Sequence, residues 1–154
     1  MYSELLIFHS LTRWLVLFLM GYAIFRAWTG HFQTRPFTKS DNSIRHWTAT
    51  VAHIQLVLGI ILYTQSPFVK AFWSSPGSAL KNLPLFFYGA FHLFLMTSAI
   101  VILTIGSALA KRQSSDPKKF KTMLIWFLIS FAIILVAIPW PFSPLSSRPY
   151  FRTF

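Results

Sequence analysis

Cysteine is absent from this 154-residue chain. That excludes disulfides, thiolate metal sites, iron–sulfur clusters and covalent c-type haem attachment. Acidic residues are nearly as scarce: Glu4, Asp41 and Asp116 are the whole set, and each lies near the start of an apolar segment. No apolar segment contains a carboxylate for acid–base chemistry. Charged residues make up 11% of the chain, against about 25% in an ordinary soluble domain. A cleavable leader is not expected either. The first segment runs into long apolar sequence without a small-residue cleavage site and reads as a retained helix. No internal repeat is visible.

What is abundant is apolar sequence: 55% of residues are hydrophobic and mean hydropathy is +0.56. Four segments are long enough, or nearly so, to cross a hydrocarbon core of roughly 30 Å. They run about Leu5 to Arg26, His46 to Tyr63, Leu85 to Ala110 and Met123 to Ile138, the last closed by Pro139-Trp140-Pro141. The expected fold is all-α: one domain, a polytopic up-down four-transmembrane-helix bundle, both termini outside. Start signals agree. Glu4 suits the positive end of the first helix. Asp41 precedes the second. Asn82 reads as a cap with Pro84 in the first turn of the third. Asp116-Pro117 reads as an N-cap followed by proline at the first helical position.

The net charge of +11 does not point to nucleic acid, because the basic residues flank apolar spans, where they set topology and meet anionic headgroups. Arg26, Arg35, Lys39 and Arg45 join spans one and two. Lys111, Arg112, Lys118, Lys119 and Lys121 join spans three and four. The other side has only Lys70, Lys81, Arg148 and Arg152. The bias predicts that the connections after spans one and three face the cytoplasm. In a bacterium the termini and the 65–82 loop then face the periplasm, and the protein sits in the inner membrane.

Two stretches read as non-helical. The 65–82 loop carries Phe68, Phe72 and Trp73 and suits the headgroup region as a short amphipathic turn. The tail from Pro139 to Phe154 alternates prolines with Trp140, Phe142, Tyr150, Phe151 and Phe154. Proline bars a continued helix and the aromatics favour an interface. Such a tail packs over the outer end of the bundle or docks on a partner.

Three histidines lie inside the spans: His9, His53 and His92. Ionisable groups in hydrocarbon are expensive and mark a functional site by default. Imidazole binds metals and can ligate haem iron axially. By rise per residue, His9 stands roughly 10 Å and His92 roughly 6 or 7 Å above mid-helix, in the outer half. They are nearly level, on helices that are diagonal in an up-down bundle. His53 sits near the middle of the second helix. His46, seven residues earlier, shares its face, and His31 belongs to the inner loop. A bis-histidine haem is best met by His9 with His92, then by His53 with His92. All three could instead hold copper or zinc. The plainer alternative is hydrogen bonding across helix interfaces.

Arg13 stands one turn from His9 on the same face. Held at that depth it needs an anionic or strongly accepting partner: a haem propionate, a quinone oxygen, a lipid phosphate, or backbone carbonyls and hydroxyls such as Thr48, Thr50, Thr97 and Ser98. Gln55 is off the His53 face and suits a bridge between helices. Gly21, Gly59, Gly89 and Gly106 permit close approach, with Gly89-Ala90 placed to make room beside His92. The 17 phenylalanines read mostly as lipid-facing.

The segments His9-Ser10-Leu11-Thr12-Arg13-Trp14, Ala52-His53-Ile54-Gln55-Leu56, Pro139-Trp140-Pro141-Phe142 and Arg148-Pro149-Tyr150 resemble, over the whole chain, a family of small four-helix bacterial inner-membrane proteins loosely labelled cytochrome b-like. The resemblance implies the topology and a b-type haem. It extends more widely to di-haem cytochrome b and haem A synthase-type bundles. Those show two ligand pairs or a glutamate one turn from a histidine, and this chain has neither.

The leading expectation is a membrane protein with one haem b. Its cofactor-binding residues are His9, His92, His53 and Arg13, and it exchanges electrons with a quinol or a redox partner protein. Alternatives are a copper or zinc binding or transport protein using His9, His53 and His92, and a cofactor-free accessory subunit. Expected partners are the lipid bilayer, a quinone or redox protein, and a second copy or larger membrane complex. The pattern names no enzyme reaction.

Overall fold

The computed structural model describes residues 2–146 and 148–151. Among them there is helix and no strand. In chain order these are α1 (Tyr2–Phe32), α2 (Lys39–Gln65), α3 (Pro67–Ser74), α4 (Pro76–Ala79), α5 (Leu83–Phe86), a π-helical turn (Phe87–Phe91), α6 (His92–Arg112) and α7 (Asp116–Ala137). Four helical runs are long and apolar enough to cross a membrane: α1, α2, the continuous run Leu83–Arg112, and α7. The chain is a multi-pass four-helix membrane bundle.

α1 packs on α2 and α7, and α6 packs on the same two. This is the ring expected of sequential up-down helices, with α1 diagonal to α6. Small residues let the helices close: Ala23, Ala27, Ala52, Ala99 and Ala110 are fully buried, as helix association in lipid favours. Larger side chains fill the rest. Phe87, Phe120 and Phe127 are buried completely and are exceptions to the expectation that the phenylalanines mostly face lipid. A Cβ on Gly30 would strike the Phe120 ring, and one on Gly106 would strike Trp126.

The helices outrun their apolar cores. α2 starts well before His46. Thr38 is its N-cap, and Thr38 and Asp41 form a capping box, the Asp41 carboxylate accepting from the Thr38 backbone at 3.0 Å. Arg26, Lys39 and Arg45 therefore lie on helices rather than in the connecting loop, and His31 lies in the last turn of α1, not in a loop. Asn82 caps the third run as expected, its Oδ1 accepting from the Leu85 N–H at 3.2 Å. For α7 the cap is Ser115, one residue earlier than expected, with Asp116-Pro117 inside the first turn. The 65–82 segment is mostly helical rather than a loop. α3 buries Val69 and Phe72 and exposes Trp73.

α7 is short at one end. From Phe120, which lies against Gly30, α7 climbs roughly 25 Å to Ala137, whereas α1 continues roughly 42 Å from Gly30 to Tyr2, both at about 1.5 Å per residue. Proline at 139 stops α7 below the top of the bundle. The tail and α3 cover the corner that α7 leaves. Trp140 packs edge-on against Trp14 with ring centroids 6.0 Å apart. The Tyr150 carbonyl accepts from Arg13 Nη2 at 2.6 Å and Trp14 Nε1 at 3.3 Å. Of the two fates expected for the tail, packing on the bundle is the one observed for its described residues. Arg152 and Phe154 lie outside them.

Candidate functional site

The early end of α7 leaves a cavity of about 260 Å³, far larger than the ~10–15 Å³ that one water centre requires. Its floor is apolar: Val16 of α1, Ala52 of α2, Ile100 of α6 and Ile134 of α7. Phe68 and Val69 of α3, with Arg148 and Pro149 of the tail, border its outer end. Between floor and lid, His9, Arg13, Gln55 and His92 project into the walls. No aspartate or glutamate lines it.

His92 is fixed by α7. Its Nδ1 lies 2.8 Å from the carbonyl oxygen of Ala137. A carbonyl only accepts, so Nδ1 carries the proton and Nε2 keeps its lone pair. The Ala137 carbonyl is accessible because α7 ends there, and a terminal carbonyl has no intrahelical partner. The π-helical turn Phe87–Phe91 runs directly into His92. Such turns insert one residue into the helical register and recur at functional sites. Here the turn carries Tyr88 to the cavity wall as well.

His9 comes from the diagonal helix. Its Nδ1 is buried with no hydrogen-bond partner among the described residues. The ring lies over Gly59, where an added Cβ would stand 3.2 Å from His9 Cε1. Gln55 ties α2 to this turn of α1: its Nε2 donates to the His9 carbonyl at 2.8 Å, and its Oε1 accepts from the Thr12 hydroxyl. The expected bridging role of Gln55 is thus met, and it holds the backbone that bears His9.

His53 is placed elsewhere. It is exposed on the outer surface of the bundle, its Nδ1 donating to the Ala49 carbonyl at 2.7 Å and its Nε2 lying 3.0 Å from the Thr104 hydroxyl. His46, on the same face, is also exposed. So His9 and His92 share one cavity and His53 does not join them. Among the described residues no group of three or more metal-ligating side chains converges, which leaves the three-histidine copper or zinc arrangement without a site. The pairing of His53 with His92 lacks the common cavity it needs.

Arg13 lines the cavity, with its guanidinium also 5.2 Å from the Trp14 ring centroid. One acceptor it reaches is a tail carbonyl, that of Tyr150. Of the hydroxyls considered from sequence, Thr48 bonds the Leu19 carbonyl and Thr50 the His46 carbonyl instead. Gly89 does not open space beside His92. Phe72 of α3 fills its face, so closely that a Cβ there would overlap the ring.

Sequence reasoning missed Tyr88 and Arg148. Both line the cavity. Arg148 Nε donates to the Tyr88 hydroxyl oxygen at 2.8 Å, and the guanidinium carbon lies 5.0 Å from the Tyr88 ring centroid and 5.3 Å from that of Phe68. An arginine held between aromatic faces is a cation–π clamp. The only signal in the sequence was a basic residue within an aromatic tail, which also fits an interface anchor.

No family model, curated protein or solved structure matches this chain.

Proposed function

We propose that the chain is a membrane b-type haem protein of the bacterial inner membrane, both termini periplasmic, with His9 and His92 as the axial pair, exchanging electrons with a quinol or a partner redox protein on the outer side. One observation carries the reading: imidazoles from two diagonal helices line a single apolar cavity, and one of them has its Nδ1 proton committed to a backbone carbonyl. That commitment fixes the tautomer and leaves Nε2 as the donor, the arrangement that metal-bound histidines show. The Nδ1 of His9 is a buried polar atom with no hydrogen-bond partner among the described residues.

The donor set and the walls fit a haem. Two imidazoles suit iron, the floor is apolar, and no aspartate or glutamate side chain lines the cavity. The volume, about 260 Å³, falls just below the ~300–1,000 Å³ of most ligand sites, and Gly59 lets the His9 ring lie close against α2. When bound, the haem supplies a one-electron centre. The chain's part is to orient the two imidazoles, through Ala137 and Gln55, and to exclude water with α3 and the tail. The charge bias of the basic residues supports the orientation.

The test is the visible spectrum of protein purified after expression with ample haem. A Soret band that shifts on dithionite reduction is expected, lost in His92→Ala and lost or converted to a five-coordinate form in His9→Ala. A wild-type protein with no Soret band overturns the reading.

A further inference from the structure

The geometry points to an anion station at the cavity mouth, in which the Tyr88 O–H and the terminal nitrogens of Arg148 bind a carboxylate side-arm of the group the cavity holds. This rests on the haem reading above and assigns the acid groups of that ring to residues of this chain. The hydrogen-bond inventory carries it. The Tyr88 oxygen accepts twice, from Arg148 Nε at 2.8 Å and from the Ser146 hydroxyl at 3.0 Å. Both of its lone pairs are then occupied, and its own proton is left to donate. Arg148 uses one of five N–H donors in this way, and its terminal nitrogens have no protein acceptor among the described residues. Both residues line the cavity. No aspartate or glutamate lines it to satisfy them.

Five donors, the four terminal N–H groups of Arg148 and the Tyr88 O–H, thus stand at a mouth where the described residues offer them no acceptor. A guanidinium fork beside a phenol suits a planar carboxylate, which accepts in pairs. The aromatic faces of Phe68 and Tyr88 hold the fork, so little side-chain freedom is lost on binding. The station sits on the π-helical turn that also delivers His92, so one local feature positions both the ligand of the metal and a ligand of its side-arm. From sequence, Arg13 was the expected anion partner. In the structure a tail carbonyl engages it, and Arg148 is the better placed donor.

The experiment uses the full-length holoprotein in detergent and follows haem transfer to excess apomyoglobin. Tyr88→Phe and Arg148→Gln are expected to bind haem with an intact Soret band but to release it faster, Arg148→Gln by about tenfold or more, as loss of a charge-assisted bond implies. Arg148→Lys should recover part of the loss. Two readouts separate a binding role from a structural one. The propionate bending band in resonance Raman should shift in both variants. Haem dimethyl ester, which carries no carboxylate, should leave wild type and Arg148→Gln at the same rate. Wild-type release rates and an unmoved propionate band in variants that retain haem through His92 overturn the station while leaving the haem reading intact. A wild-type protein without a Soret band removes both.

Discussion

The two ends of the bundle treat polar groups in opposite ways. Around Asp41 the chain supplies both halves of its interactions. The carboxylate is wholly buried and accepts from Arg26 Nη2 at 2.8 Å and from Arg35 Nη1 at 2.7 Å, besides the Thr38 amide and hydroxyl. Arg45, also buried, donates to the Ser107 carbonyl at 3.0 Å and to the Ser107 hydroxyl. Arg35 lies 4.6 Å from the Phe120 centroid. At the histidine end the same inventory does not close. Among the described residues His9 Nδ1 lacks a partner, the Tyr88 proton and the Arg148 fork lack acceptors, and all of these residues line one cavity. A polar cluster that satisfies itself holds helices in register. One that leaves donors aimed into a hole is built for something brought from outside.

The largest expected effect breaks the closed end. Asp41→Asn removes the charge that two arginines share. Breaking a buried pair costs ~3–5 kcal/mol, and because Arg26 and Arg35 keep 26% and 24% of their side-chain surface exposed the lower figure is expected, about 3 kcal/mol. Thermal unfolding in detergent measures it. Haem occupancy at low temperature should stay as in wild type. Loss of haem binding in a variant still folded would show that the two ends are not separate.

Next comes the lid. Gly89→Ala places a methyl group into Phe72, and overpacking of this kind costs ~1–3 kcal/mol. Gly21 has nothing within 4 Å of the corresponding position, so Gly21→Ala should stabilise by ~0.5–1 kcal/mol through helix propensity alone. Opposite signs in the two melting curves are the expected outcome. Equal effects would mean that α3 does not rest on Gly89.

Gly59→Ala is subtler. The new methyl meets His9 Cε1 at 3.2 Å, so the imidazole must give by a few tenths of an ångström. Stability should change by less than ~1 kcal/mol, while the Soret maximum or the haem release rate moves. An unchanged spectrum and rate would detach His9 from the site.

The bundle itself was legible, because four apolar runs with caps such as Asn82 admit few other folds. That His9 and His92 line one cavity is consistent with the similar depth that rise per residue gives them. The facing of His53 was not legible. Its helix carries polar residues on more than one side, among them Thr48, Thr50 and Gln55 besides His53, and without a single amphipathic stripe periodicity cannot say which side meets lipid. Sequence did put His46 and His53 on one face, and both are exposed. The capping box Thr38-Lys39-Ser40-Asp41 was not read as a helix start, because its fourth residue is Asp rather than the usual Glu or Gln and the apolar pattern begins only near His46. That Asp41 also gathers Arg26 and Arg35 depends on the tertiary path of the 33–38 connection. The π-helical turn has no sequence signature, and Tyr88 and Arg148 are far apart in the chain. Only the early end of α7, signalled by Pro139, hinted that a corner of the bundle would be vacant.

His53→Leu is the smallest expected effect and the sharpest control on the comparison. The side chain faces outward, where leucine is at home in lipid. Removing it deprives Thr104 of one contact, but that hydroxyl still donates to the Ile100 carbonyl at 2.6 Å, so no buried group is stranded. The spectrum, the haem release rate and, within ~0.5 kcal/mol, the stability should match wild type. His92→Ala, by contrast, strands the Ala137 carbonyl and takes a donor from the cavity. The two substitutions remove the same chemical group from adjacent helices, so only position distinguishes them. A Soret band lost in His53→Leu and kept in His92→Ala would place the site on the outer face of the bundle and empty the cavity of its assigned role.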